Sequence, residues 1–263
     1  METFGDARRE RLVSEFMQHH IKARTEDIAK FCFIPGDHVR GRKIAQRLEG
    51  MRLVADTRGY FVYTGTYKGV RMTVCSTGMG GPQVAIAMEE LGNMGVETFI
   101  RLGSAGGLDP RTGVGDIVIA TASYRGGGTG DGYLPKAFPA VADFEVTRAL
   151  VDAASELGME ALVGPVASTD VFYSPDQAAL AALLKRGRAL CVEMESDTEF
   201  IVGLHRGFRC GAAFVLDGGP ATRKVAVKSG EMEIADHGKD PAFVEGEDRL
   251  ITLGLEAMLR LAR

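Results

Sequence analysis

The sequence contains little that would mark a secreted, membrane-spanning or disulfide-linked protein. Four cysteines occur among 263 residues without a CxxC pattern, so neither a disulfide framework nor a zinc site is expected. No run reaches the ~18 consecutive apolar residues of a membrane span. The N-terminal segment is charged throughout and lacks the apolar core of a signal peptide. We therefore predict a cytoplasmic protein with reduced, mostly buried thiols.

An excess of basic residues is also absent. Lys and Arg number 31 against 35 Asp and Glu, which gives a formal charge of −4. This balance excludes a general nucleic-acid binder but leaves room for a local anion pocket. No internal repeat and no Pro/Ser-rich linker divides the chain, and 45% hydrophobic residues are enough for a full-sized core. A single domain fits these properties.

Short apolar runs alternate with segments of helical periodicity. Several runs are β-branched and bounded by Gly or Pro, as expected for strands covered on both faces. The predicted strands span 31–35, 70–77, 98–104, 116–124, 161–169, 189–195 and 211–217, and the predicted helices span 82–95, 143–158 and 244–263. The glycine-rich segment 125–133 is predicted to be a mobile surface loop. The pattern indicates one α/β domain with a mixed, twisted β-sheet flanked by helices.

Two predicted strand ends carry residues suited to an anion. Gly36 follows the first strand and Arg40 lies one helical turn later, so a glycine turn, a helix N-terminus and a forked guanidinium could meet a phosphate. An ordinary turn with a surface arginine is the alternative. Arg101 lies inside an apolar strand that leads to Ser104 and three glycines. Because arginine is seldom buried without an anionic partner, we expect either a phosphate or an internal salt bridge there.

Acidic residues follow two other predicted strands. Glu193 and Glu195 would share one strand face, where one carboxylate suits a sugar diol; a solvated strand end is the alternative. Asp217 follows an apolar run, so desolvation would favour the protonated form that a general acid needs, unless it is a cap or turn residue. Phe172 suits either the core or stacking on a base. His20 has no partner pattern and suits the surface.

The order of these motifs is more specific than any one of them. From His20 to the C-terminus, the chain resembles the nucleoside phosphorylases, the family of hexameric purine nucleoside phosphorylases, uridine phosphorylases and nucleosidases. The resemblance is carried by IPGDHVR, Arg58 seven residues before GTYKG, STGMGGP, IRLGSAGG, STDVFYSPD and VEMES. It implies an N-terminal extension over 1–19 and a nucleoside phosphorylase domain, an α/β sandwich, over 20–263.

The resemblance assigns an expected role to each matching position. Phosphate would be bound by Gly36, Arg40, Arg101, Ser104 and, from a neighbouring subunit, Arg58. Ribose would be bound by Met194, by Glu195 at the 2′- and 3′-hydroxyls and by the neighbour's His20 at the 5′-hydroxyl, and the base by Phe172, Val192 and Glu193. Asp217 would be the catalytic acid that protonates the base. Gly230 occupies the position of the arginine that pairs with this acid in the common purine enzymes. Arg223, Lys224 or Lys228 is expected to substitute for it, and Arg223 is the first candidate.

The expected base follows from residues that this chain lacks. In uridine phosphorylases a Gln and an Arg after FYSP hold uracil, whereas Asp176, Gln177 and Ala178 occupy that region here. The sequence therefore predicts a purine nucleoside phosphorylase, which converts (deoxy)ribonucleosides and phosphate reversibly to free base and (deoxy)ribose 1-phosphate. A uridine or broad-specificity phosphorylase is the alternative, ahead of a nucleosidase or a noncatalytic nucleoside-binding protein.

The resemblance also implies the partners. Inorganic phosphate is the expected co-substrate, with no other cofactor and no metal. The chain is expected to form a homo-oligomer built from dimers, as a hexamer. Neither a nucleic acid nor a membrane is an expected partner.

Overall fold

Strands and helices alternate along the chain, as the apolar pattern predicts. The computed structural model describes residues 17–218 and 240–263 and, between them, two short strands at 227–228 and 231–232. The helices of the described residues are α1 (His38–Ala45), α2 (Gly81–Asn93), α3 (Phe144–Glu156), α4 (Gln177–Arg186), α5 (Ser196–Arg206) and α6 (Pro241–Leu261). The strands are β1 (Phe31–Phe33), β2 (Glu49–Thr57), β3 (Tyr60–Tyr67), β4 (Val70–Ser76), β5 (Thr98–Gly107), β6 (Ile117–Gly126), β7 (Ala140–Val141), β8 (Ala161–Thr169), β9 (Cys191–Glu193), β10 (Arg209–Gly218), β11 (Val227–Lys228) and β12 (Glu231–Met232).

Strands β1 to β10 form one mixed sheet. Its order is β10–β6–β8–β9–β5–β1–β4–β3–β2, with β7 paired to β6. Strand β10 also pairs with β5, so β5, β9, β8, β6 and β10 close into a ring from which the other strands extend. Closure pairs backbone groups that an edge strand would leave open. The architecture confirms the predicted single α/β domain with a mixed sheet flanked by helices.

Strand β5 changes its pairing partner along one edge, and we call the gap in that edge, beside residues 101–105, the cleft. On one edge, β5 pairs with β1 through residues 98–100 and with β9 through residues 106–107. Between these contacts, residues 101–105 have no strand partner on that edge within the described residues, whereas β10 pairs along the opposite edge. The cleft lies beside the carboxyl end of β1, the region where α/β sheets bind their ligands.

Helices pack on both faces of the sheet. Alternate side chains of β5 point to opposite faces, so Phe99 belongs to a core cluster with Met88 of α2 and Phe200 of α5. Leu102 belongs to the other cluster, with Leu250 of α6. Full burial of each such side chain contributes about 1.5–3 kcal/mol. The two layers therefore fix β5, the strand that lines the cleft, from both sides.

The strand predicted over 189–195 is shorter than expected. It ends at Glu193, and α5 starts at once. The amides of Glu195 and Ser196 donate to the Glu193 carboxylate, and the Asp197 amide donates to Ser168 Oγ. These side chains satisfy the first free N–H groups of the helix. The prediction that Glu193 and Glu195 share a strand face is therefore wrong.

The glycine-rich segment 125–133 is anchored. Arg125 is 7% exposed, and its guanidinium donates to Asp131 and to the carbonyl oxygens of Leu134, Pro135 and Phe138 at 2.7–2.9 Å. The prediction of a mobile surface loop is wrong, because the segment begins in β6 and its buried Arg125 binds Asp131 and the backbone of the residues that follow the segment.

The cysteines agree with the prediction of buried thiols. All four are buried, and none forms a disulfide. Within the described part of the chain, no helix is both long and apolar enough to cross a bilayer.

Candidate functional site

Arg101 lies in the cleft on β5 and is 4% exposed. Its Nε donates to Glu193 at 3.0 Å and its Nη2 donates to Glu195, so the salt-bridge interpretation is correct for two of its nitrogens. The third nitrogen, Nη1, is buried without a hydrogen-bond partner. A Cβ built on Gly36 would lie 3.7 Å from it, so this donor faces the glycine turn after β1.

A glycine near Arg101 makes room for its guanidinium. The group lies 5.9 Å from the ring centroid of Phe214. A Cβ at Gly103 would approach to 2.8 Å from that ring and 3.3 Å from Arg101 Nη2. The Arg-Leu-Gly spacing in β5 is thus a packing requirement, since any side chain at position 103 would displace either the arginine or the ring.

Arg40 reaches the same cleft from α1. It is 3% exposed, its Nε donates to Glu247 of α6 at 2.8 Å, and its Nη1 lies 3.5 Å from the Leu102 carbonyl oxygen on the open edge of β5. The alternative of a surface arginine is therefore wrong. Arg40 thus contacts Leu102, the neighbour of Arg101 in β5.

The N-terminus of α1 is already capped. Asp37 accepts hydrogen bonds from the amides of Val39 and Arg40 at 3.0 and 3.1 Å. A carboxylate thus satisfies the donors that were predicted to meet an anion. Within the described residues, the donor left without a partner beside this turn is Arg101 Nη1 instead.

Glu195 links the cleft to the turn after β4. One carboxylate oxygen accepts the Gly80 amide at 2.6 Å, and the other accepts Arg101 Nη2. Gly80 has φ +96° and precedes α2 without a side-chain cap of its own, so Glu195 supplies the missing acceptor. Burial and the nearby Glu193 raise the pKa of Glu195, against the opposing effect of Arg101. No local pattern in the sequence points to this contact, because it joins residues 115 positions apart in the chain.

Glu193 is fully engaged behind Arg101. Its Oε1 accepts hydrogen bonds from Ser168 Oγ and from the amide and hydroxyl of Ser196, and its Oε2 accepts from Arg101 and from the Glu195 amide. Burial alone would raise the pKa of Glu193, but Arg101 and the two serines hold it below its usual value. The structure thus places this predicted base-binding residue in the scaffold of the cleft.

Two further carboxyl groups on α5 escaped sequence analysis. Glu199 is buried, and neither of its oxygens has a hydrogen-bond partner. Burial raises its pKa well above the usual value despite the nearby Arg101. Asp197 accepts the Gly127 amide at 3.0 Å and the Thr198 amide at 2.6 Å, yet burial raises the pKa of Asp197 to about 6. The detectable signal was the acidic content of residues 195–199, which form the N-cap and first turn of α5.

The shift at Asp197 predicts a pH-dependent stability. The pKa of Asp197 in the folded state lies above the ordinary value. Its contribution to the free energy of unfolding is therefore complete at low pH and is lost as the pH rises toward 6. In Asp197→Asn this titration is absent. The melting temperature of the variant relative to the native chain should therefore increase from pH 5 to pH 7.5, by the equivalent of about 1.4 kcal/mol. Thermal denaturation at several pH values measures it, and a difference that falls with pH would contradict the assignment.

Asp217 occupies a β-bulge at the end of β10. The register with β5 passes from Leu216 opposite Ala105 to Gly218 opposite Gly106, so Asp217 is the extra residue. A bulge redirects a side chain away from the regular alternation, and Asp217 is half-buried. The alternative of a simple turn aspartate does not fit this position in a strand. Its expected partner Arg223, like Gly230, lies outside the described residues.

The other predicted ligand residues line the cleft less tightly. Ser104 is partly exposed on the open part of β5, and Val192 and Met194, at the β9–α5 junction, are partly buried. Phe172 follows β8 and is 53% exposed, so it is not a core residue. Its ring makes an edge contact with the ring of Tyr173, with 5.0 Å between the ring centroids. Its backbone carbonyl oxygen accepts a hydrogen bond from the side-chain amide of Gln177 at 2.9 Å.

His20 and Arg58 lie together, apart from the arginine cluster. Thr57 Oγ1 donates to the His20 carbonyl oxygen at 2.5 Å. Arg58 is exposed in the two-residue turn between β2 and β3, where it and Gly59 have φ values of +52° and +85°, as a type I′ turn requires. Three strand spacings, roughly 14 Å, separate β3 from β5. The structure thus brings these two residues to each other but not to Arg101 of the same chain.

A protein-family model, described as the phosphorylase superfamily, matches residues 30–238. A uridine phosphorylase of Thermococcus kodakarensis is 39% identical over 247 residues, which cover 89% of this chain and 88% of that protein. A guanosine phosphorylase of Halorubrum lacusprofundi is 34% identical over 244 residues, which cover 93% of this chain and 99% of that protein.

The fold is also similar to a solved structure. A uridine phosphorylase from Vibrio fischeri ES114, complexed with 6-hydroxy-1-naphthoic acid, superposes with a TM-score of 0.83 at 27% identity. The alignment covers 95% of this chain and 99% of the other. The likeness therefore extends over the whole fold.

Proposed function

The chain belongs to the phosphorylase superfamily, and from that premise we propose that its site cleaves uridine by phosphorolysis. The relatives named above support nucleoside phosphorolysis in general, which makes the chain a pentosyltransferase. In this reaction a pentosyl group passes from a base to phosphate. Uridine as the nucleoside, and the residue roles below, are the finer parts of the proposal.

The unpartnered Nη1 of Arg101 is the observation that carries the proposal. A buried donor without an acceptor costs about 1–3 kcal/mol, and this one faces the Gly36 turn beside Arg40. An oxyanion in the cleft would accept from Nη1 and relieve that cost. Guanidinium groups suit phosphate because they donate in parallel pairs.

In the proposed reaction, the arginines hold the phosphate that attacks C1′, and Asp217 is the acid that assists the departing base. The C1′–N bond breaks with its electron pair leaving on the base, and a phosphate oxygen forms the new bond to C1′. The sugar becomes cationic in the transition state, so the phosphate below it and the Glu195 carboxylate at its hydroxyls stabilise it. Asp217, at the end of β10, donates a proton or hydrogen bond to the departing base.

The choice of uridine replaces the purine base predicted from the sequence. That prediction relied on the lack of a uracil-holding pair after Phe172, yet Gln177 provides an amide in that region and is held close to Phe172. The uridine phosphorylases among the relatives favour the alternative reading. Guanosine is the second candidate, because the guanosine phosphorylase aligns over nearly its full length and Asp217 suits the N7 atom of a departing purine.

Base preference is tested with four nucleosides, each with and without phosphate. We expect release of base only with phosphate, and a kcat/KM for uridine at least about 10-fold above those for inosine, guanosine and adenosine, as a site with matched polar groups would give. Spectrophotometric assays measure each rate. A higher kcat/KM for guanosine or inosine would replace uridine by a purine, and equal release without phosphate would indicate a hydrolase.

A further inference from the structure

One carboxylate on α2 organises the segment before the first strand. Glu90 accepts the His20 amide at 2.9 Å and the Ile21 amide at 2.8 Å. It also lies 2.6 Å from Nδ1 of the His20 ring. Glu90 and Ile21 are buried, whereas the His20 side chain is 31% exposed. The mechanism above gives Glu90 no role, yet its carboxylate accepts hydrogen bonds from three donors on two consecutive residues.

These contacts define the tautomer of His20. Burial alone would raise the pKa of Glu90, but the amide of Ile21 and the ring and amide of His20 hold it below its usual value. An ionised carboxylate only accepts hydrogen bonds, so the proton on Nδ1 points to Glu90. Nε2 has no hydrogen-bond partner within the described residues. In the neutral ring, Nε2 is then an acceptor on the exposed side.

The backbone of His20 is held from a second direction. Thr57 donates to its carbonyl oxygen, and the next residue along the chain is Arg58 at the hairpin tip. The ring is therefore fixed relative to the hairpin as well as to α2. Such support exceeds what a surface histidine without a function needs.

We propose that Glu90 is a positioning residue, which fixes the His20 ring so that Nε2 accepts a hydrogen bond from the 5′-hydroxyl of a nucleoside bound in a neighbouring subunit. This inference rests on the proposed function. The competing explanation is that Glu90 only anchors the N-terminal segment. That explanation predicts equal losses for substrates with and without the hydroxyl.

The hydroxyl contact is tested with uridine and 5′-deoxyuridine. We expect the native enzyme to favour uridine by about 5- to 10-fold in kcat/KM, as one hydrogen bond would give. In His20→Ala and Glu90→Gln this ratio should fall to near one, mainly through KM. His20→Ala removes the ring itself, and in Glu90→Gln the side-chain amide cannot accept hydrogen bonds from all three donors. Glu89→Gln is the matched control, since Glu89 lies next in sequence and pairs with Arg206 instead; it should keep the native ratio.

A second readout does not depend on catalysis. Solid-state ¹⁵N NMR of histidine-labelled enzyme should show His20 protonated on Nδ1 in the native chain and a changed tautomer ratio in Glu90→Gln, with His20→Ala to assign the signal. Protonation on Nε2 in the native chain would overturn the inference for any substrate. If Glu90→Gln is unstable, Glu90→Asp, which is one methylene too short, replaces it.

The two proposals can fail separately. An active phosphorylase whose uridine preference survives in Glu90→Gln would overturn the positioning role but not the proposed function. An enzyme that phosphorolyses no nucleoside would overturn the proposed function and with it the hydroxyl contact, while the NMR result would still decide the tautomer.

Discussion

Replacement of Arg101 by alanine is expected to lower kcat/KM for phosphorolysis by at least about 100-fold. The variant loses a buried donor, Nη1, that faces the Gly36 turn without a partner. It also loses the group that holds Glu195 in place. Steady-state assays at varied phosphate concentration measure the loss, which should include a rise in the KM for phosphate.

Stability must be separated from phosphate binding in this experiment. Arg101→Ala leaves Glu193 and Glu195 buried without their cation, which commonly destabilises a fold by about 3–5 kcal/mol. Arg101→Lys keeps the charge but loses the forked geometry, so we expect a folded protein with weakened phosphate affinity. If Arg101→Lys melts like the native chain and keeps the native KM for phosphate, the phosphate-binding role of Arg101 is wrong.

Mixing two inactive variants is expected to restore activity if sites are shared between subunits. Arg58 lies with His20 at the hairpin edge, away from Arg101 of its own chain. We propose that Arg58 enters the phosphate site of a neighbour, so Arg58→Ala alone should lose about 100-fold in kcat/KM. In a mixed dimer of Arg58→Ala with Arg101→Ala, one site has both native arginines. Subunit exchange should therefore restore up to about a quarter of native activity.

The chain offers matched controls for this result. Arg101→Ala mixed with Glu195→Ala should not recover, because both changes lie in one subunit's cleft. His20→Ala mixed with Arg58→Ala should show no more than the average activity of the two variants, because both residues lie on the contributing edge. Recovery in these pairs, or a fully active monomer by analytical ultracentrifugation, would contradict a site shared between subunits.

The sequence indicated that Arg101 lies in the cleft, but it did not indicate which carboxylates bind it. Arg101 was detectable because one charged residue interrupts an otherwise apolar strand, and burial of that charge requires an acidic partner. The identity of the partners depends on where α5 begins. The alternation of apolar and acidic residues over 192–195 is compatible with a continued strand, but Glu193 and Ser168 bind the free amides of residues 195–197 and start a helix.

Contacts between distant segments account for most of what was missed. The β2–β3 hairpin escaped detection because six of the nine residues of β2 are exposed, so the strand has no apolar alternation. The contact of Glu90 with His20 joins a helix to a polar segment 70 residues earlier in the chain. Neither segment has a local pattern that points to the other, so only the folded structure could reveal that His20 is held in place.

The closed ring of strands also determines when the cleft is made during synthesis. Ile100 in β5 pairs with Gly211 in β10, so β5 leaves the ribosome long before the strand that completes its environment. Contacts of such long sequence separation form late and slow folding. A nascent chain that ends before β10 exposes an unpaired strand edge and apolar surface, which favour aggregation. The chain thus acquires the buried Arg101 early, but the strand that completes its surroundings, β10, is among the later parts to be translated.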